Sequence, residues 1–321
     1  MRKYNVLVTG VGAIIGYGLI NSLRKSKYDV HIIGMDIYDD AYGQHICDEF
    51  IQAVPAAQED YPEFLRRIIA EYQIDLVMFG TEQEIHRLVN EEERMGEDYK
   101  KLVINRKDIV AMSNDKWNTY EFQIKHGIEA IPTYIEGDYD TLAKKLGVPF
   151  LLKPRKSYAS KGIEKIHNIE EFEFYKKRVG EQFMVQEIVG DAEHEYTAAV
   201  FGYGDGNSTR PIILKRKLSQ EGSTVKAKVI EDRYLEEHIQ KLVKILKPIG
   251  PTNFQYRYGN GKYLLLETNP RISSSTSLRT AFGYNEAEMC IEYFVEGQRP
   301  EAKDIKCGEA VRYIADCVTI L

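Results

Sequence analysis

The 321 residues carry a net charge of −6, with hydrophobic side chains at 43% and charged ones at 29%. That balance suits a globular chain long enough for two or three domains with proper cores. It gives no electrostatic reason to expect nucleic acid as a partner. No apolar run approaches the roughly twenty residues of a membrane span, so no membrane partner is expected. The N-terminal MRKYNVLVTG enters a strand directly, without the apolar stretch of a signal peptide. Cys47, Cys290, Cys307 and Cys317 are scattered without zinc-like pairing, which predicts reduced thiols in a cytoplasm. His45-x-Cys47 is the only near-motif and reads as chance.

The chain opens with an apolar strand, YNVLVTG, a glycine loop, GVGAIIGYG, a helical LINSLRKS and a second strand, VHIIGMD, ending at Asp36. This order predicts a doubly wound, Rossmann-like α/β domain. Gly10, Gly12 and Gly16 give G-x-G-x-x-x-G, one residue longer than the dinucleotide fingerprint, and Asp36 stands roughly where that fingerprint places its ribose-binding acid. Two readings follow: a nicotinamide site, or glycines that let a helix pack close to a strand. A helix, YPEFLRRIIAEY, and a buried strand, DLVMFG, lead to Thr81-Glu82-Gln83-Glu84. Loops at the carboxyl ends of such strands are where open α/β sheets place ligands, so Glu82 is a candidate contact for a substrate amine or a partner domain. Thr81 and Glu84 match a capping box that would open the helix EIHRLVNEEERM. The strand KLVIN is expected to close this first domain, residues 1–105.

In SNDKWNTYEFQIKHG, Ser113, Asn114 and Asp115 supply an N-cap and first-turn acid, which leaves Lys116 near a helix start. A cation there gains nothing from the helix dipole and points to another anion. The strand VPFLLK ends at Lys153, beside the loop PRKSYASKGI. A point charge next to a loop of small residues with free N–H groups is the arrangement a triphosphate needs. Further on, QFMVQEIV and EHEYTAAVFGYG read as antiparallel strands. PIILKRKL carries Lys215, Arg216 and Lys217, one of them expected to reach phosphate and the others to face water.

The most informative stretch is NFQYRYGNGKYLLLETNPR. Two strand-like runs flank Gly259-Asn260-Gly261, a hairpin signal. Alternation along a strand puts Glu267 and Asn269 on one face. If odd positions pair with odd, Gln255 joins them. One carboxylate and two amide oxygens are hard ligands suited to Mg²⁺, which takes few carboxylates and completes its shell with water and phosphate oxygens. Pro270 stops the strand, and Arg271 follows as a fork for phosphate. An ordinary hairpin with polar residues at its exposed end is the plain alternative. Beyond it, Ser273 to Ser277 offer hydroxyls for a helix cap or an acyl phosphate, and two helical stretches break at Gly283. Arg279 is either a substrate-carboxylate clamp or an exposed helical arginine. EAVRYIADCVTIL reads as an edge strand.

E-x-N-P-R after an apolar strand, with Gln255 across a turn, resembles the magnesium hairpin of ATP-grasp enzymes, and ISSSTSL resembles the carbamoyl-phosphate synthase large-subunit branch in particular. The resemblance implies that residues 106–321 form an ATP-grasp domain of two α+β subdomains, about 106–186 and 187–321. It implies ATP and Mg²⁺ as cofactors, with Mn²⁺ as an alternative ion. Metal would rest on Gln255, Glu267 and Asn269, and Lys116 and Lys153 would brace the phosphates. Arg271 and Lys153 would serve catalysis, and Arg216 would reach the nucleotide. Ser160 and Gly162 would lie in the phosphate-covering loop, which here lacks the glycines usual at Ala159 and Ser160. The hinge at Glu187 and Ile188 would meet the adenine, and Glu195 the ribose, with Glu193 as the competing choice. The chain also lacks the histidine that the branch carries near Gln220. The implied activity is a carboxylate–amine ligase acting through an acyl phosphate, with small-molecule acid and amine as partners and a homo-oligomer compatible with it. A bicarbonate-activating, carboxylase-like module and a non-catalytic ATP-binding regulator are the alternatives.

Overall fold

The computed structural model describes residues 2–156, 162–179, 182–220 and 222–318. Three sheets organise them. The first is parallel, in the order β3-β2-β1-β4, from β1 (Lys3–Thr9), β2 (Asp29–Asp36), β3 (Glu49–Gln52) and β4 (Leu76–Met78). The second is antiparallel, β5-β8-β6-β7, from β5 (Thr133–Tyr134), β6 (Phe150–Pro154), β7 (Glu164–Ile166) and β8 (Phe183–Gln186). The third has six antiparallel strands in the order β13-β12-β9-β10-β11-β14. Its strands are β9 (Glu195–Tyr203), β10 (Ile212–Leu218), β11 (Thr224–Ile230), β12 (Ile249–Gly259), β13 (Lys262–Asn269) and β14 (Glu309–Val311).

Period-2 alternation explains how the parallel sheet is covered on both faces. Leu7 points into a core with Ile33, Leu65 and Ile69, the last two on the helix Tyr61–Glu71. Val6 and Val8 point the other way, into a core with Leu19 and Ile20 of the helix Ile14–Leu23 and with Phe201, Leu214 and Tyr284 from the later chain. The first sheet and the six-stranded sheet therefore share one apolar core. The opposite face of the six-stranded sheet, through Ala198, Val200 and Phe254, packs on Leu235, Ile239 and Leu242 of the helix Arg233–Leu246.

Three local expectations change in the fold. KLVIN contributes an isolated bridge, Leu102 to Val77, rather than a strand. The chain then turns so that the Asn105 side chain donates to Thr252 Oγ1 at 2.9 Å and accepts from the Ile249 N–H at 3.0 Å, tying the segment after that bridge to β12. The expected helix from Glu84 to Met95 is two short ones, Glu82–Leu88 and Glu92–Met95. Thr81 and Glu84 do not form a capping box. Glu84 is buried and accepts from the hydroxyls of Thr9, Tyr61 and Thr81 instead, and burial pushes its carboxyl upward.

The glycine loop follows the close-packing reading. A Cβ on Gly16 would lie 2.3 Å from the Gly10 carbonyl oxygen, so only glycine lets this helix approach β1. Asp36 turns inward, accepting from the N–H groups of Gly12 at 2.7 Å and Tyr38 at 3.1 Å. Both carboxylate oxygens that a dinucleotide ribose would need are already used. Among the described residues no helix is long and apolar enough to cross a membrane.

Gly16→Ala should destabilise the protein by about 1–3 kcal/mol, the usual cost of forcing a methyl into a closed contact. Urea unfolding of the variant checks it. An unchanged midpoint would mean that this glycine is not a packing device.

Candidate functional site

The hairpin forms as its turn chemistry predicts. Asn260 and Gly261 adopt φ of 52° and 79°, the paired positive values of the tight turn that Asn-Gly favours. β12 and β13 then pair with Gln255 opposite Glu267 and Asn253 opposite Asn269, and a bulge follows between Gln255 and Tyr256. Gln255, Glu267 and Asn269 thus lie on neighbouring positions of one face.

β6 supplies a cation within electrostatic reach of Glu267. Lys153 is buried there and donates from Nζ to Gln186 Oε1 at 2.8 Å, and Gln186 Nε2 in turn donates to Thr133 Oγ1 at 2.8 Å. Burial pulls the Lys153 ammonium down to about 8; Glu267 opposes the shift, and Lys116 and Arg257 add to it. Those influences place Lys153, Lys116, Glu267 and Arg257 in one electrostatic neighbourhood. Lys116 is held there by a clamp that sequence reasoning missed. Asp115 caps the helix Lys116–Lys125, accepting from the Trp117 N–H at 2.9 Å, and pairs with the Arg155 guanidinium at 2.7 Å. The Lys116 N–H itself donates to the Arg155 carbonyl at 3.1 Å, so the helix start is fastened to the chain just past β6.

Glu195 is buried between two arginines. Arg216 on β10 and Arg257 on β12 are its direct cross-strand neighbours, and their guanidiniums reach its two oxygens at 2.8 and 2.6 Å. Arg216 also donates to Gln255 Oε1 at 3.0 Å, and burial pulls its guanidinium down against the pull of Glu195. A ribose would meet Glu195 only in competition with these partners. Glu193, the competing choice, is exposed and pairs with Lys217 at 3.3 Å. Arg271 Nε donates to Glu82 Oε1 at 2.8 Å. Glu82 therefore joins the start of the helix after β4 to the chain just past β13, and Arg271 holds its carboxyl below the usual range despite burial.

Arg279 is neither exposed nor open to a ligand. It is fully buried, paired with the equally buried Glu286 at 3.3 Å, and donates to Thr197, Asn253 and Ser273. It braces β9 and β12 beside Gln255, on the same face of the sheet. At the hinge, the Glu187 N–H donates to the Pro132 carbonyl at 3.1 Å, so the Glu187 carbonyl and the Ile188 backbone are the groups left to consider for an adenine edge. Gly162 packs over Pro154, and Ser160 lies outside the described residues.

One carboxylate and two amide oxygens are the chemistry of a hard divalent ion that retains phosphate oxygens, and an ion here would have to displace Arg216 from Gln255 Oε1 at 3.0 Å and Arg271 from Asn269 Oδ1 at 3.5 Å. Among the described residues no cluster of three His, Cys, Asp or Glu side chains could hold a metal. An ion here would depend on the nucleotide for part of its shell.

Comparison with known proteins bears on the fold. Residues 180–317 match the family model described as ATP-grasp in the biosynthetic pathway with Ter operon. The carbamoyl phosphate synthase large chain of Methanocorpusculum labreanum is 24% identical over 313 residues, covering 84% of this chain and 28% of that protein. The chain spans only 18% of the Thermotoga large chains it also matches. Among solved structures, N5-carboxyaminoimidazole synthetase from Staphylococcus aureus, complexed with ADP, superposes with a TM-score of 0.77 at 18% identity, covering 98% of this chain and 83% of that one. The biotin carboxylase domain dimer of Hydrogenobacter thermophilus 2-oxoglutarate carboxylase, in complex with MgADP, ADP and bicarbonate, gives 0.73 at 16% identity, covering 95% and 73%.

The low value for Lys153 gives a signed expectation. Phosphate would raise it, so the complex would hold more protons than the free protein near pH 8, and ATP affinity should fall as pH rises beyond 8. The fall should approach about tenfold per pH unit between the two pKa values. Calorimetry in two buffers of different ionisation heat should show proton uptake for the wild type and none for Lys153→Met. Equal uptake in both would remove Lys153 from the phosphate site.

Proposed function

The chain has the ATP-grasp fold, and from that premise we propose that it is an ATP- and Mg²⁺-dependent carboxylate–amine ligase that activates its acid as an acyl phosphate. The observation that carries this reading is the shared face of Gln255, Glu267 and Asn269, with the buried Lys153 near enough to feel the charges of Glu267 and Lys116. Two lysines and a hairpin of oxygen ligands are what a triphosphate with its metal requires, and little protein acid–base chemistry is needed beyond them.

Bound Mg²⁺ would supply charge neutralisation on the transferring phosphoryl group. The chain's own residues do the rest. Lys153, pre-positioned by Gln186, and Lys116, fastened through Arg155, hold phosphate oxygens. Gly162 and Ser160 belong to the segment that would cover them. The hinge at Glu187 and Ile188 receives the adenine. Arg271, oriented by Glu82, is aimed at the acid and its phosphate. A carboxylate oxygen of the acid attacks the γ-phosphorus, the bond to the bridging oxygen breaks, and ADP leaves with that electron pair. The amine nitrogen then displaces phosphate from the acyl carbon. Bicarbonate is a second candidate for the acid, favoured by the bicarbonate present in the Hydrogenobacter domain. The dimeric state of that domain makes a homo-oligomer a form to test.

Phosphorus NMR of the protein with Mg-ATP and pooled acids should show ADP and inorganic phosphate. AMP with pyrophosphate would overturn the mechanism. Glu267→Gln should keep the melting temperature and lose about 10²–10³ in turnover, the cost of removing one key electrostatic contact. Wild-type turnover in that variant would dismiss the hairpin as the metal site.

A further inference from the structure

At the carboxyl end of the parallel sheet, the first helix meets the loop and helix that follow the hairpin. The helix Ile14–Leu23 packs closely on that loop: a Cβ on Gly18 would sit 2.8 Å from Thr276 Cγ2, and Ser22 Oγ lies 2.8 Å from Thr280 Oγ1. Tyr17 and Tyr42 stand beside this contact, 38% and 47% exposed, with ring centroids 6.2 Å apart in an edge-to-face arrangement. Paired, part-exposed aromatic rings offer an apolar wall for a ligand. The Asp36 carboxylate behind them is committed to backbone N–H groups.

Arg312, just past β14, completes the wall. Its guanidinium donates to the carbonyls of Thr224 at 2.9 Å and Ser274 at 2.7 Å, and its charge is felt at both Tyr17 and Tyr42. The contrast with the other arginines of the cleft is informative. Arg155, Arg216, Arg257, Arg271 and Arg279 each pair with a carboxylate. Among the described residues no carboxylate pairs with Arg312, although it is half-buried. Two of its hydrogens anchor it to backbone, fixing the fork in place. A fixed, partly desolvated guanidinium without a counter-ion has a strong preference for an anionic oxygen group.

We infer that Tyr17, Tyr42 and Arg312 form the specificity wall for the amine substrate, and that this amine carries an acidic oxygen group, a carboxylate or a phosphate. The inference rests on the ligase reading, because it assigns the second substrate of that reaction. Arg271 and Ser273 to Ser275 separate this wall from the nucleotide cleft by only a few residues of chain. The proposal requires that an amine held by its acidic end at Arg312, which is anchored on the Ser274 carbonyl, present its nitrogen toward the acyl phosphate. Its lone pair forms the C–N bond as the C–O bond breaks, phosphate leaves with the electron pair, and the excess amine proton passes to solvent.

The test uses the full chain with Mg²⁺ and a non-hydrolysable ATP analogue, titrated calorimetrically with three sets of amines. These are amino acids, phosphorylated amines such as phosphoethanolamine and glucosamine 6-phosphate, and the uncharged counterparts of both. An anionic amine should bind the wild type, its uncharged counterpart should not, and the set that binds decides between carboxylate and phosphate. Arg312→Gln should weaken that amine about tenfold to a hundredfold, the range of a lost charge-assisted contact, with analogue affinity changed less than twofold. Arg312→Lys should recover part of the loss, which a purely structural role for the arginine would not produce, and Tyr42→Ala should weaken the same amine independently. Preference for uncharged amines, or anionic binding indifferent to Arg312→Gln, would overturn the inference while leaving the ligase reading intact. Failure of the wild type to bind the analogue would instead strike the ligase reading itself.

Discussion

The site depends first on the antiparallel pairing of β12 with β13. A tight Asn260-Gly261 turn sets the register, and the register puts Gln255 opposite Glu267 with Asn269 on the same face. A slip of one residue would turn all three side chains to the other side of the sheet. The register is held by side chains on the same face as well as by the turn. Asn253, opposite Asn269, is gripped by the buried Arg279, which is neutralised by Glu286 and also reaches Thr197 on β9 and Ser273 after the hairpin. Removing one partner of such a buried pair typically costs about 3–5 kcal/mol, so this network anchors the strand ends beside the oxygen face.

Charge is distributed around the oxygen face with a clear asymmetry. The guanidiniums are balanced: Arg216 and Arg257 share Glu195, Arg155 takes Asp115, and Arg271 takes Glu82. These pairs tie neighbouring elements together, and Arg271 with Glu82 links the helix after β4 to the hairpin. Lys153 differs, because its direct partner is the neutral amide of Gln186. A buried ammonium held by an amide is poorly compensated, and its lowered affinity for the proton is the result. An anion reaching Lys153 would therefore gain more there than at a fully neutralised lysine.

The features legible in the sequence are the ones decided locally. The Asn-Gly turn, the alternation in LETN and the stop at Pro270 lie within a few residues of each other, so the hairpin and its oxygen face could be read directly. The parallel opening of the chain was legible for the same reason, through apolar strands ending in a glycine loop. What could not be read depends on partners far apart in sequence. Glu195 is separated from Arg216 by 21 positions and from Arg257 by 62, and their contact follows from which strands flank β9. Arg279 looked exposed because a short polar helix does not reveal that both Glu286 and β12 will close over it. Glu84 suited a capping box by spacing, but three hydroxyls from separate elements claimed its carboxylate. Arg312 sits in a stretch without any motif, and only the packing of β14 on β11 brings it near Tyr17 and Tyr42.

The central claim is that the cleft transfers phosphate to a carboxylate, and trapping that species tests it most directly. The protein would be incubated with Mg-ATP, hydroxylamine and a panel of small carboxylic acids that includes amino acids, with bicarbonate-stimulated ADP release followed alongside. Acid-dependent formation of a hydroxamate, in step with ADP and phosphate, is the result predicted for a carboxylic acid substrate. Tight ATP binding with neither hydroxamate nor acid-stimulated ADP release across the panel would contradict the account and mark the chain as a nucleotide-binding regulator.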